Sequence, residues 1–431
     1  MPQHPVTRKL RWSLLGVPVA GALVLAGCAG GSNADADADE NAAGEGFSLM
    51  VAVANDGDDA YHQLVDAYSE ATGVEVEVID YPSEAYNQQV RTQLQAGTAA
   101  DLMVLAPGTG QDISVLPLAE EGFLEPLDDS TAAIIPAGTE VQYEVDGDVY
   151  AQPNGLMPVG FVFNGTAAEE AGVSSFPGTF DELLDACGTA RDGGKVFTAL
   201  AGAAAPNTGM LGMNLAASRV YAEDPEWNSK REAGKVTFAD SAWVDALQAV
   251  VDMNDAGCFQ DGAAGSGFDA ITNGVVSGTA LTGIVPGSAA TSMNAAKEGL
   301  GIVVQAFPAP KGSDQIVYAS ANYAFGLNAK STDGAKASAK DFLKWMTEPA
   351  QAAKFADLYG MIPIVGADTE NLLAPFQPIS ELISSGAYTG IPNAFWPNPS
   401  VYDALATGVQ GLLTGQSTPE QVAEQMDQAW G

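Results

Sequence analysis

FSLMVAVANDGDDAYHQLVDAYSEATGVEVEVIDYPSEAYNQQVRTQLQAGTAADLMVL, residues 47–105, is the stretch whose reading decides the fold. Phe47 to Ala54 is an apolar run of strand length. Asp58 to Thr72 places Tyr61, Leu64, Val65 and Tyr68 on one helical face, and Gly73 ends it. Val74 to Asp80 alternates apolar and acidic residues as a strand does. Pro82 and Ser83 then open a helix with Tyr86, Val90 and Leu94 at helical spacing, closed by Gly97. Leu102 to Leu105 is a short buried strand running into the turn Pro107-Gly108-Thr109-Gly110. This βαβαβ order predicts an α/β fold with a mostly parallel sheet, helices on its faces, and a ligand at the carboxyl ends of its strands.

The same alternation resumes beyond Val159. Helices are predicted over Phe180 to Ala190, Thr208 to Ala222, Asp240 to Ala256 and Ser288 to Glu298. Strands are predicted over Val196 to Leu200, Thr279 to Val285, Ile302 to Phe307 and Tyr318 to Leu327. Helices Asp333 to Thr347, Pro349 to Leu358, Leu373 to Ser384 and Val401 to Leu413 follow. The last helix starts at the capping box Thr418-Pro419-Glu420-Gln421. From Phe47 to Gly431 the chain exceeds what one hydrophobic core normally serves, so two lobes are expected.

The first 28 residues read as an address. Arg8, Lys9 and Arg11 precede an apolar run from Leu14 to Ala26, which is shorter than the roughly 20 residues of a membrane span. The run ends in Leu25-Ala26-Gly27-Cys28. This resembles a bacterial lipobox, in which the Cys28 thiol takes a diacylglycerol and becomes the first mature residue. Ala29 to Gly46 has almost nothing to bury and is expected to be a disordered acidic tether. Three of the 17 basic residues lie before Cys28, whereas all 54 acidic ones lie after it. Such a charge repels nucleic acid and anionic membrane surfaces. Only Arg91, Arg191, Arg219 and Arg231 remain after Cys28, which weakens the case for a phosphate or dicarboxylate ligand. Cys187 and Cys258 form an even pair in an exported chain and are expected to be bridged, two separately buried thiols being the alternative.

Several segments together resemble the extracellular solute-binding proteins of carbohydrate ABC importers, the maltodextrin-binding group. They include Leu64-Val65-Asp66-Ala67-Tyr68, Ala100-Asp101-Leu102-Met103-Val104 and Gly122-Phe123-Leu124-Glu125-Pro126-Leu127. Tyr150-Ala151-Gln152-Pro153 running into Gly160-Phe161-Val162-Phe163-Asn164 belongs with them, as do Thr179 to Leu184 and the helices from Ala335 to Phe355. The resemblance implies the type II periplasmic binding protein fold, two lobes joined by hinge strands near Met157 to Phe163 and Tyr323 to Leu327. It implies lobe I over 47–160 and 325–372, and lobe II over 161–324 and 373–431. A sugar would be captured between them and delivered to ABC permease subunits by a monomer held to the outer face of the membrane by its lipid, with no cofactor. In the second lobe the chain reads Gly283-Ile284-Val285-Pro286-Gly287-Ser288 where many relatives carry an aromatic after Gly-Pro, so no particular sugar is implied.

No enzyme constellation can be assembled, although paired carboxylates in so acidic a chain leave a glycosidase formally open. His62 is the single histidine after the signal, and no nucleophile elbow or Gly-Lys-Ser/Thr phosphate loop is present. The run Asp35-Ala-Asp37-Ala-Asp39 has Glu40 where a calcium loop needs glycine, so no metal is expected. Candidate ligand contacts are Asn55 and Asp56 after the first strand, with turn chemistry as the alternative. Pro107, Gly108 and Thr109 end the third strand. Asn154 stands at the start of the hinge, where backbone capping is the alternative, and Met157 opens the hinge strand. Gly287 and Ser288 start a helix whose free N–H groups can meet a ligand oxygen, or form a plain cap. Trp227 reads as a loop platform or as surface packing. Trp396, in a loop stiffened by Pro392, Pro397 and Pro399, reads as the stacking platform or as a cap on the second lobe's core. Trp243, Trp345 and Trp430 read as core. Two other functions stay open: binding of a cationic or peptide ligand, and a surface lipoprotein with no transport partner.

Overall fold

The computed structural model describes residues 44–53, 60–136, 139–321, 323–366 and 372–431. The expected export signal, Cys28, most of the tether, and Asn55 with Asp56 lie outside these. The opening stretch folds as its periodicity demands. Strand Phe47–Val53 pairs in parallel with Val76–Pro82 on one side and Leu102–Leu105 on the other. Helix Ala60–Thr72 buries Tyr61, Leu64, Val65 and Tyr68 against them. Helix Ser83–Ala96 stops at Gly97, whose φ of 70° is a left-handed conformation that glycine adopts without Cβ strain. Strand Ala324–Leu327 adds antiparallel to Leu102–Leu105, and Ala151–Pro153 closes the far edge. Leu49, Leu102, Phe325 and Phe342 are fully buried in this first lobe.

The second lobe is built on Met157–Asn164, which is buried along its whole length. Val159, Phe161 and Phe163 enter the core on one face and Val162 the core on the other, the two-residue period of a strand covered on both sides. Ala280–Pro286 lines one edge of this strand, and Val317–Ser320 and Ile302–Gln305 share the other. All three run antiparallel to it. The two-lobed α/β arrangement is as expected from the sequence, but this sheet is mixed rather than mostly parallel. Met157–Asn164 arrives from the first lobe instead of from a crossover helix within its own, so nothing constrains it to be parallel. Parallel pairing survives between Val196–Ala199 and Ala280–Pro286 and between Val317–Ser320 and Tyr388–Thr389.

The segment read as one strand, Tyr318 to Leu327, is two strands in different sheets. Tyr318 and Ser320 pair with Val159 and Met157, whereas Ala324 and Leu327 pair with Leu105 and Leu102. The chain changes lobe between them, and a change of hydrogen-bonding partner leaves no mark in an apolar run. A second crossing spans Asn154–Leu156, where the Asn154 N–H donates to Tyr323 O (3.3 Å). A third lies alongside, with Leu156 and Ile362 exchanging N–H···O bonds of 2.8 and 2.9 Å. Met361 packs in the first lobe and Ile362 in the second. These crossings fall earlier than the expected boundaries after residues 160, 324 and 372. They form a three-segment joint, where a hinge motion would concentrate.

Cys187, on helix Phe180–Asp192, and Cys258, just past helix Trp243–Asp255, are joined by a disulfide, with Cα atoms 4.7 Å apart and both residues fully buried. Helix Pro419–Trp430 has the expected capping box, with Thr418 and Gln421 each bonding the other's backbone N–H.

Candidate functional site

The carboxyl end of the third strand meets the second lobe. Gly108 has φ 72°, and its N–H donates to Gln142 O (3.0 Å), which holds the loop against the first lobe. A Cβ added at Gly108 would collide with Ala394 O of the second lobe, so the lobes approach here as only glycine allows. Thr109 Oγ1 donates to Trp396 O at 2.9 Å across the same seam. Gly108 and Thr109 thus meet the opposite lobe, at Ala394 O and Trp396 O respectively. We expect Gly108→Ala to keep the lobes apart at this point and weaken ligand affinity at least about tenfold, ~1.4 kcal/mol. Titration calorimetry beside wild type reads this directly, and equal affinity would show that the seam need not close.

At the joint, Asn154 is 3% exposed and donates from Nδ2 to Tyr61 Oη (3.2 Å). Its Oδ1 is buried with no hydrogen-bond partner, so this residue is not spent on backbone capping. Met157 is buried and its Sδ accepts the Ser288 N–H at 3.4 Å, while the Gly287 N–H is taken by Pro158 O (2.8 Å). The helix does begin at Ser288. The two N–H groups thought available to a ligand are nonetheless already engaged, one of them by a weak thioether acceptor. A Cβ at Gly287 would lie 2.9 Å from both Pro158 and Phe376, so packing explains this glycine.

Neither tryptophan named as a platform offers its face to solvent. Trp227 is 3% exposed and opens helix Trp227–Glu232, its ring 4.8 Å from Phe238. Trp396 is 1% exposed, edge-on to Phe238 (5.7 Å) and tilted against Trp243 (6.0 Å). Pro392–Phe395 winds into a tight turn and Trp396 leaves it extended, which delivers the indole into the second lobe's core and puts the carbonyl at the seam. Trp243 is core as read, whereas Trp430 is only half-buried.

Beside the Thr109–Trp396 contact lies a groove of about 400 Å³. Leu116, Val141 and Thr109 line it from the first lobe, and Asn228, Ser229, Glu232, Ala394, Phe395, Trp396, Pro397 and Trp430 from the second, Trp396 doing so although it is 1% exposed. Val141 is 63% exposed, the most exposed of the large apolar side chains among the described residues, in a place where a ligand would cover it. Apolar Val141, Leu116 and Phe395 interleaved with Thr109, Asn228 and Glu232 give both the surface and the hydrogen-bonding groups that a small polar ligand requires. Sequence reasoning missed Val141, Phe395 and Gln142, because their placement depends on which loops the fold brings together.

The family of bacterial extracellular solute-binding proteins matches residues 54–353. The chain belongs to this family. Its place is therefore outside the cytoplasm, and its business is holding a solute. Comparison with curated proteins returns no match. Among solved structures, a chitin oligosaccharide binding protein superposes with a TM-score of 0.74 at 21% identity, covering 89% of this chain and 98% of the other. A cyclic alpha-maltosyl-1,6-maltose binding protein from Arthrobacter globiformis gives 0.68 at 20%, covering 90% and 98%. The solute-binding protein RafE in complex with raffinose gives 0.69 at 18%, covering 89% and 98%. These likenesses show that the solute-binding protein shares their two-lobed fold.

Proposed function

We propose that this solute-binding protein captures an oligosaccharide between its lobes, acts by binding alone, and hands the sugar to an ABC importer as a monomer tethered through lipid on Cys28. The groove across the seam carries this reading. Its lining pairs apolar faces, which suit pyranose C–H surfaces, with hydroxyl, amide and carboxylate groups, which suit sugar hydroxyls. The structural relatives named for chitin oligosaccharide, cyclic maltosyl-maltose and raffinose support the same ligand class. The acidity of the chain does not favour a cationic ligand, because Glu232 is the one charged residue among those described that line the groove. A thermal-shift screen of the full chain against chito-, xylo- and malto-oligosaccharides, raffinose, amino acids and polyamines tests the proposal. A sugar at 100 times its dissociation constant should add about 2.7 kcal/mol of stability. Stabilisation by a polyamine or amino acid, and by none of the sugars, would reject it.

A further inference from the structure

Gln142 lies at the seam and is 1% exposed, yet neither Nε2 nor Oε1 of its carboxamide has a hydrogen-bond partner. Glutamine is a poor choice for such a place if packing were its job. A buried amide that gives up water for nothing weakens the state that buries it, and an apolar residue of equal length would not. Its backbone is firmly held, with its N–H donating to Thr139 O (3.0 Å) and its carbonyl accepting from the Gly108 N–H (3.0 Å). The side chain therefore projects from a fixed point on the first lobe. Across the seam, a Cβ added at Gly390 of the second lobe would stand 3.2 Å from Gln142 Nε2 and 3.1 Å from the Phe395 ring. The amide and the Phe395 ring thus both border Gly390, and the neighbour of Gln142 in sequence is Val141. Both of those residues line the groove.

We infer that the Gln142 carboxamide reads an oligosaccharide at the closing seam, and that its unmet hydrogen bonds make closure depend on the sugar. The inference rests on the oligosaccharide reading above and adds the residue that enforces it. An amide carries a donor and an acceptor side by side. Two adjacent hydroxyls of a pyranose ring supply the complementary acceptor and donor. With the lobes apart, water satisfies the amide. With the lobes together and no sugar, nothing does. A ligand hydroxyl pair passing between Val141 and Phe395 restores both bonds, so the closed state is favoured only when loaded.

Gln142→Met keeps the length of the side chain and removes the amide. The full chain and this variant are titrated by calorimetry with chitotriose, xylotriose, maltotriose and raffinose, and each is melted without sugar. We expect the variant to melt at or above the wild-type temperature. The best-bound sugar should bind it at least tenfold more weakly, and small-angle scattering without sugar should give a smaller radius of gyration than wild type. Binding within twofold of wild type overturns the inference alone. A clearly lower melting temperature also overturns it, because the amide would then be part of the fold's support. A wild-type chain that binds none of the four sugars overturns the oligosaccharide reading and this inference with it.

Discussion

Trp396→Ala destabilises the fold by about 3–5 kcal/mol, the cost of emptying a large aromatic site in a packed core. Its indole is 1% exposed and touches Phe238 and Trp243 in one aromatic cluster that Trp227 and Trp430 extend around Phe238. Few side chains can collapse into the space that would be left, because the surrounding rings are rigid. The contact across the seam runs through the Trp396 carbonyl, which alanine retains. Sugar affinity measured well below the variant's melting point should therefore change by less than about 1 kcal/mol, short of the loss expected when a central stacking aromatic is removed. Denaturant melts and calorimetry on the same preparation separate the two outcomes. An unchanged midpoint with affinity reduced tenfold or more would return the residue to the role of platform.

Reducing the Cys187–Cys258 bridge has an effect of similar size. The bond spans 71 residues of sequence, and in the chain-entropy model a loop of that length constrains the unfolded chain by about 4 kcal/mol. It ties helix Phe180–Asp192 to the end of helix Trp243–Asp255, beneath the same sheet face. The bridge leaves no thiol at Cys187 or Cys258, so thiol reagents should not react there in the native protein, and because both residues are buried reductant should act only as the fold opens. Unfolding in guanidinium with and without reductant should show the midpoint falling by an amount equivalent to that energy. Coincident midpoints, or two free thiols in a non-reduced digest, would contradict the assignment.

The elements that were legible are those whose signal is local. Tyr61, Leu64, Val65 and Tyr68 announce a helical face, Gly97 the end of the following helix, and Thr418 with Gln421 a helix start; each depends on residues within a turn or two. What escaped depends on distant partners. Tyr318 to Leu327 is apolar almost throughout, so nothing local tells that it leaves one sheet and joins another. The direction of Met157–Asn164 is set by the lobe it comes from. Trp396 looks exposed because its proline-rich surroundings have no helical period, whereas its burial is decided by Phe238 and Trp243, more than a hundred residues away in sequence. Gly108 was legible as a turn glycine, but the carbonyl of Ala394 that demands a hydrogen there was not. Gln142 stands between Val141 and Tyr143 in a segment with no clear period, and nothing local sets it apart. Only the fold shows that its amide is enclosed.

The claim that the lobes close over an oligosaccharide is tested most directly by small-angle X-ray scattering of the full chain, before and after adding a sugar whose binding calorimetry has established. The joint at Asn154–Leu156, Tyr323 and Ile362 together with the Gly108–Ala394 seam predicts a smaller radius of gyration in the saturated sample. A radius that does not change within error, on a sample shown to be fully bound, would contradict capture by closure and place the sugar site elsewhere on the molecule.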